Sequence, residues 1–168
     1  MPRPRKALIS LADTSYYHIT SRCVRRAFLT GIDHYFGQSY EHRRQWVVDR
    51  VRLLSSLFAI VVCAYAIMSN HHHLALKVCP EQLEGLSDDD IMDRWRALFK
   101  GPLLVQRYHG EVGLKPFERT TVSDIVTVWR SRLSRISWFM RCLNQPIATH
   151  PRTAEDYGRS MAHKCYAI

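Results

Sequence analysis

The stretch FAIVVCAYAIMSNHHHLALKV, from Phe58 to Val78, decides the fold of this chain. Its first part, Phe58–Met68, is almost uninterruptedly apolar and rich in β-branched residues, which is typical of a buried strand. A Ser-Asn pair that favours a turn follows, and the alternating pattern of His71–Val78 then predicts a second strand. We therefore expect a tight antiparallel hairpin.

Regular elements are predicted on both sides of this hairpin. Upstream, Ser15–Arg22 combines aromatic and β-branched residues as strands do, and Tyr40–Leu57 has the apolar spacing of an amphipathic helix. Downstream, a helix with an acidic first turn is predicted from Ser87 to Gly101. After an irregular connection, apolar residues at helical spacing predict one long helix over Val122–Leu143. The order strand, helix, strand, strand, helix indicates an α+β fold.

The chain is predicted to form one domain over residues 15–148, which is an ordinary domain length. Residues 1–14 are predicted to be a basic flexible arm. This arm begins MPRPRKAL and lacks the apolar segment of a signal peptide. Beyond Pro146 the helical periodicity ends, so residues 149–168 are predicted to be a divergent, disordered tail.

The charge balance favours a polyanionic partner. Twenty-four Lys and Arg against fifteen Asp and Glu give a net charge of +9 and a pI near 9.6. Such a balance is typical of proteins that bind the phosphates of nucleic acids. The longest apolar run, Leu57–Met68, is well short of the roughly twenty residues that cross a bilayer, so no membrane partner is expected.

The cysteines predict reduced thiols and a cytoplasmic location. Their number is odd, they are widely scattered, and no CxxC pair is present: Cys23, Cys63, Cys79, Cys142 and Cys165. Because Cys63 and Cys142 lie within apolar runs, we expect both to be buried structural residues without chemistry.

Three consecutive histidines begin the second strand of the predicted hairpin. Alternate side chains of a strand share one face, so His71 and His73 are expected to project together and His72 to point the other way. Two imidazoles about 6.5 to 7 Å apart along a strand can converge on one divalent cation. A fortuitous surface cluster is the alternative reading, and a metal site would need a third ligand from elsewhere.

Three segments, in the same order along the chain, resemble the one-tyrosine HUH transposases, especially the REP-associated group. AIMSNHHHL, from Ala66 to Leu74, is similar to that family's Met-Pro-Asn-His-hydrophobic-His-Leu signature. YHITSR, ending at Arg22 and followed by Arg25 and Arg26, resembles its first strand and basic turn. LSRISWFMRCLNQ, ending at Gln145, resembles a later helix. The resemblance covers about residues 10 to 148.

The resemblance implies a ferredoxin-like antiparallel sheet packed with helices, in which His71 and His73 bind a divalent metal ion, Mg²⁺ or Mn²⁺. It also implies metal-dependent cleavage and transfer of single-stranded or hairpin DNA through a phosphotyrosine intermediate. A homodimer is a further implication. His72 stands where the family has a hydrophobic residue, which leaves a pairing of adjacent histidines as a geometrically poor alternative to His71 with His73.

The family's usual nucleophile is missing from the sequence. After Ala148 the family continues to a helix with a Tyr-Val-x-x-Asn-Pro-type motif, and no such motif follows here. Tyr157 and Tyr166 are the tyrosines of the tail, but neither lies in a matching motif. We therefore hypothesise a truncated or frameshifted relative, and a non-catalytic nucleic-acid-binding remnant or regulator is the alternative function. A metal-binding domain unrelated to DNA is a third.

Candidate DNA contacts lie on and after the first predicted strand. Arg22, Arg25 and Arg26 are expected to grip a backbone, with Tyr16 or Tyr17 available to stack on bases. An ordinary solvated basic turn is the alternative. Four arginines of the long predicted helix are expected to face outward: Arg130, Arg132, Arg135 and Arg141. The four tryptophans are expected to lie mainly in the core: Trp46, Trp95, Trp129 and Trp138.

Overall fold

The computed structural model describes residues 9–23, 29–33, 37–110, 113–149 and 161–167. Six strands are found in these ranges: β1 (Tyr16–Cys23), β2 (Ile32–Asp33), β3 (Gln38–Ser39), β4 (Ile60–Ile67), β5 (His71–Val78) and β6 (Met161–Ala167). Five α-helices accompany them: α1 (His42–Leu57), α2 (Asp88–Arg96), α3 (Leu103–His109), α4 (Pro116–Leu133) and α5 (Ile136–Thr149). The predicted α+β class is confirmed.

Four of these strands form one antiparallel sheet in the order β4-β5-β1-β6. Numbered by their place in the chain, the four strands lie in the order 2-3-1-4, and β2 and β3 form a separate small hairpin. With α1 between the first and second of them, and helices between the third and fourth, this is the split β-α-β arrangement of ferredoxin-like folds. The predicted ferredoxin-like sheet is therefore present.

The core lies between one face of this sheet and the helices. Alternate residues of β1 and β5 are fully buried, among them Ile19 and Leu76, and they pack with residues such as Leu54 of α1 and Phe139 of α5. The end of α4 is tied to the sheet because the Ala59 amide, just before β4, donates to the Leu133 carbonyl at 3.0 Å. Among the described residues, the buried apolar cluster lies on this one face of the sheet.

The prediction that Phe58–Met68 is a buried strand is wrong for most of its length. Only the ends of β4 are buried, whereas Tyr65 and Cys63 are exposed. Two features distinguish β4 from the buried β5: it is the edge strand of the sheet, and it carries a register shift between Val62 and Ala64. Cys142 is buried as expected, and burial raises the pKa of its thiol to about 11.

The helical region differs from the predicted pattern in two places. Ser87 caps α2 as its sequence predicts, with a reciprocal capping box to Asp90. The supposedly irregular connection contains α3, and α4 begins already at Pro116, a residue that suits the first turn of a helix. The predicted single long helix is two helices, α4 and α5, with a break at Ser134. The apolar residues keep their helical spacing across the break, so the spacing alone does not indicate it.

The predicted disorder of residues 149–168 is wrong for residues 161–167, which form β6 and pair with β1. The edge of β1 provides hydrogen-bond partners for the backbone of β6. The sequence pattern of the tail does not indicate this pairing. Of the predicted flexible arm, residues 1–8 lie outside the described residues, and Ile9 already packs against the core. None of the helices in the described ranges is long and apolar enough to span a membrane.

Candidate functional site

The face of the sheet that points away from the core carries polar and basic side chains. We call this surface of β1 and β5 the open face, and its members are Tyr16, His18, Thr20, Arg22, His71, His73, Ala75 and Lys77. All are partly or largely exposed, whereas the residues between them are buried. His72 is 0% exposed on the core side. The prediction that His71 and His73 share a face and that His72 points away from it is confirmed.

The β4–β5 turn that precedes the histidines is held by neighbouring segments. The Ser69 carbonyl accepts hydrogen bonds from the amides of Leu29 and Thr30, and the Thr30 hydroxyl donates to the Met68 carbonyl at 3.2 Å. The Arg44 guanidinium of α1 donates to the carbonyl at the end of β4 at 3.0 Å. These contacts anchor the β4 side of the turn, and the Met68 amide donates to the His71 carbonyl at 2.9 Å, which ties the backbone of His71 to the anchored side.

The contact of His71 with Asn70 favours one tautomer of its ring. Its Nδ1 lies 2.5 Å from the Asn70 side-chain oxygen, which can only accept, so Nδ1 carries the proton. The lone pair of the neutral ring is therefore on Nε2. This arrangement, in which the second nitrogen donates to an oxygen, is the one that orients histidine ligands in metal sites.

His73 is held by contacts with β1. Its Nδ1 lies 2.9 Å from Nε2 of His18 and 3.2 Å from the Thr20 hydroxyl, and the rings of His18 and His73 stack with centroids 5.0 Å apart. Burial lowers the pKa of His73, and the neighbouring His18 and His71 lower it further. The neutral form, which is the form that binds metals, is thereby favoured.

The two candidate ligands fit a divalent metal ion by their chemistry. The rings of His71 and His73 have centroids 5.0 Å apart, and each has Nδ1 engaged with a neighbour. Within the described ranges, no group of three or more His, Cys, Asp or Glu is arranged to hold a metal. The described residues thus supply two nitrogen donors, and the other coordination positions would belong to oxygen atoms of water or substrate.

The surroundings of the histidines are basic and partly aromatic. Arg22 is exposed and lines a shallow hollow together with Thr20, His71 and His73. Farther along the same face, the Lys77 ammonium lies 5.5 Å from the centre of the Tyr16 ring, which is 47% exposed. No carboxylate belongs to the open face as defined above. The surface therefore suits a chain of phosphates with attached bases.

Tyr17, one of the predicted DNA contacts, is buried in the core, where its ring cannot reach a base. Its ring is 0% exposed and its hydroxyl donates to the Thr14 carbonyl at 2.8 Å, so the prediction that it stacks on a base is wrong. Alternation along β1 explains the correction, because Tyr16 takes the exposed position instead. Arg25 and Arg26 lie outside the described residues.

The two tail tyrosines differ in what can be said of them. Tyr157 lies outside the described residues, whereas Tyr166 belongs to β6. In the pairing of β1 with β6, Tyr166 occupies the position opposite His18, and Lys164 the position opposite Thr20. The backbone at Tyr166 therefore lies one strand away from the residues that orient His73.

Sequence reasoning missed His18 and Thr20 as site residues. Alternation along Ser15–Arg22 places both on the face of Arg22, which is a signal that the sequence contains. What the sequence lacks is the register that brings Thr20 opposite His73, because β1 and β5 are separated by α1 and β4.

The chain was compared with protein-family models, curated proteins and solved structures, and it matches none of them.

Proposed function

We propose that this protein binds single-stranded or hairpin DNA across the open face and acts on a phosphodiester beside a divalent metal ion held by His71 and His73. The observation that carries the proposal is the histidine pair itself: two rings on one face, both with Nδ1 engaged, set among basic residues. The resemblance of the Ala66–Leu74 segment to an HUH signature supports the same reading.

The open face offers each part of a nucleotide strand a suitable partner. The Arg22 guanidinium can hold a phosphate at the histidine end, and the exposed Tyr16 ring can stack on a base at the other end. In β1 these residues are six positions apart, which spans about 20 Å at roughly 3.3 Å per residue. Mg²⁺ or Mn²⁺ at His71 and His73 would neutralise charge that develops on a phosphate oxygen.

Strand cleavage, rather than binding alone, requires a nucleophile, and we propose Tyr166 for this role. Its position opposite His18 puts its backbone about 10 Å from that of β5, or two strand spacings. In the proposed step the Tyr166 oxygen attacks phosphorus, the bond from phosphorus to the 3′ oxygen breaks, and the tyrosine proton ends on the free 3′-hydroxyl. The products are a 5′-phosphotyrosine and a DNA end that can reverse the step.

Covalent capture of DNA on a denaturing gel tests the proposal. The purified chain is mixed with a labelled hairpin-bearing single strand and Mg²⁺ or Mn²⁺, beside its His71→Ala, Tyr166→Phe and Tyr157→Phe variants. We expect a metal-dependent adduct that disappears in His71→Ala and Tyr166→Phe. His109→Ala is the matched control, because His109 is an exposed histidine paired with Asp93 away from the open face.

Other outcomes decide between the alternatives. An adduct lost in Tyr157→Phe but kept in Tyr166→Phe would reassign the nucleophile. Salt-sensitive DNA binding without any adduct would support the non-catalytic regulator or remnant. Metal binding without any affinity for DNA would overturn the proposal in favour of a domain unrelated to nucleic acid.

A further inference from the structure

A second basic surface lies where α4 meets α5. Arg132 and Arg141 both lie against the Trp138 ring, with guanidinium carbons 4.4 Å and 4.8 Å from its centre. The Trp138 ring in turn packs at 5.4 Å against Trp95, which is buried. Together with the exposed Arg135, which lines a groove beside Trp138, these residues form what we call the arginine–tryptophan patch: Arg132, Arg135, Trp138 and Arg141.

The charge of this patch is not compensated by neighbouring acids. From Val126 to Thr149 the sequence has four arginines and no aspartate or glutamate. One of the four, Arg130, pairs with Asp88 at 3.0 Å. The other three arginines form no ion pair with a carboxylate anywhere in the described parts of the chain. Concentrated positive charge without a partner is favourable only when solvent or an anion faces it.

The patch is also ordered, which distinguishes it from scattered surface arginines. Stacking on a ring that is itself packed restricts two guanidinium groups before any ligand arrives, so less side-chain entropy is lost on binding. Thr127 and Ser131 line the same groove and add hydroxyl groups. Arginine together with Ser and Thr hydroxyls is the set that contacts phosphates of nucleic-acid backbones.

We propose that the arginine–tryptophan patch is a second nucleic-acid-binding site, which holds backbone phosphates independently of base sequence. Guanidinium and hydroxyl groups can each bond phosphate oxygens, and contacts of this kind to the backbone carry no direct information on base sequence. A nucleic acid is favoured over an acidic protein because the three arginines follow one another from the end of α4, through the break, into α5, and a regularly charged backbone can follow such a series.

This site is remote from the histidine pair. The α4–α5 junction is bonded to Ala59, and the next residue, Ile60, pairs with Val78 at the far end of β5 from His71. Val78 lies seven residue steps along the strand from His71, which is about 23 Å. One DNA that reached both sites would therefore need a stem or flanking strand in addition to the segment on the open face.

Binding of blunt random-sequence duplex DNA, followed by fluorescence anisotropy over a series of salt concentrations, tests the patch. Arg135→Gln combined with Arg141→Gln removes two exposed charges from it. Arg52→Gln combined with Arg119→Gln removes two exposed charges elsewhere and is the matched control. We expect the slope of log Kd against log salt to fall by about 1.8 for the patch variant, roughly 0.9 for each lost phosphate contact, and little change for the control.

Three further arms make the result decisive. His71→Ala with His73→Ala should leave duplex binding unchanged, which separates this site from the open face. A single strand of equal length shows whether unpaired backbone is held as well. Equal losses in the patch and control variants would overturn the proposal, as would polyglutamate that competes as well as DNA. Circular dichroism confirms that both double variants fold.

Discussion

The two faces of β5 differ completely although one eight-residue strand supplies both. On the core side, His72, Leu74, Leu76 and Val78 are each at most 2% exposed. On the open face, His71, His73, Ala75 and Lys77 are all partly exposed. Because alternate residues of a strand point to opposite faces, the residues that stabilise the fold and the residues of the candidate site are different ones. A slip of one residue in register would turn the histidine pair toward the core and the leucines toward the open face.

β1 follows the same division, so the two neighbouring strands β1 and β5 share it. Ser21 is 0% exposed on the core side and accepts a hydrogen bond of 3.0 Å from the buried Asn144 of α5. Thr20, its neighbour, lies on the open face beside His73. Substitutions of adjacent residues can therefore test whether one face carries the stability and the other the binding.

The largest effect is expected for a core position. Leu76→Ala should lower the free energy of unfolding by about 2 to 5 kcal/mol, because a fully buried leucine leaves a cavity when it is truncated. Lys77→Ala, one residue farther on the open face, should change it by less than about 0.5 kcal/mol. Urea unfolding followed by tryptophan fluorescence measures both, and equal losses would abolish the distinction between the faces.

A smaller effect is expected at the polar contact of the core. Ser21→Ala removes the oxygen that accepts from Asn144, so a buried amide group loses its partner, and the expected loss of unfolding free energy is about 1 to 3 kcal/mol. Thr20→Ala is the adjacent comparison on the open face; its hydroxyl contacts His73 at a partly exposed position, and the expected loss is smaller, at most about 1 kcal/mol. Adding Asn144→Leu to Ser21→Ala should recover part of the loss, and a double variant less stable than Ser21→Ala alone would contradict this account.

How far the sequence predicts the molecule depends on the range of the interaction. The hairpin of β4 and β5, the capped start of α2 at Ser87 and the alternation of the histidines follow from neighbouring residues, and all are present. The exposure of β4, the break at Ser134 and the pairing of β6 with β1 depend on distant segments. His18 joined the candidate site only through the register of β1 with β5, which no local pattern contains.

The smallest effect on stability is expected at the histidines, where the comparison is most informative. Without metal, His71→Ala should change the free energy of unfolding by less than about 0.5 kcal/mol, because the ring is partly exposed on the open face, where it contacts Asn70 and His73. With Mn²⁺ at ten times its dissociation constant, the parent protein should gain about 1.4 kcal/mol and His71→Ala should gain nothing. Thermal unfolding with and without Mn²⁺, repeated with His109→Ala, measures this difference. A gain retained by His71→Ala would remove this histidine from the candidate metal site, whereas a gain lost only in His71→Ala and His73→Ala would assign metal binding to the open face.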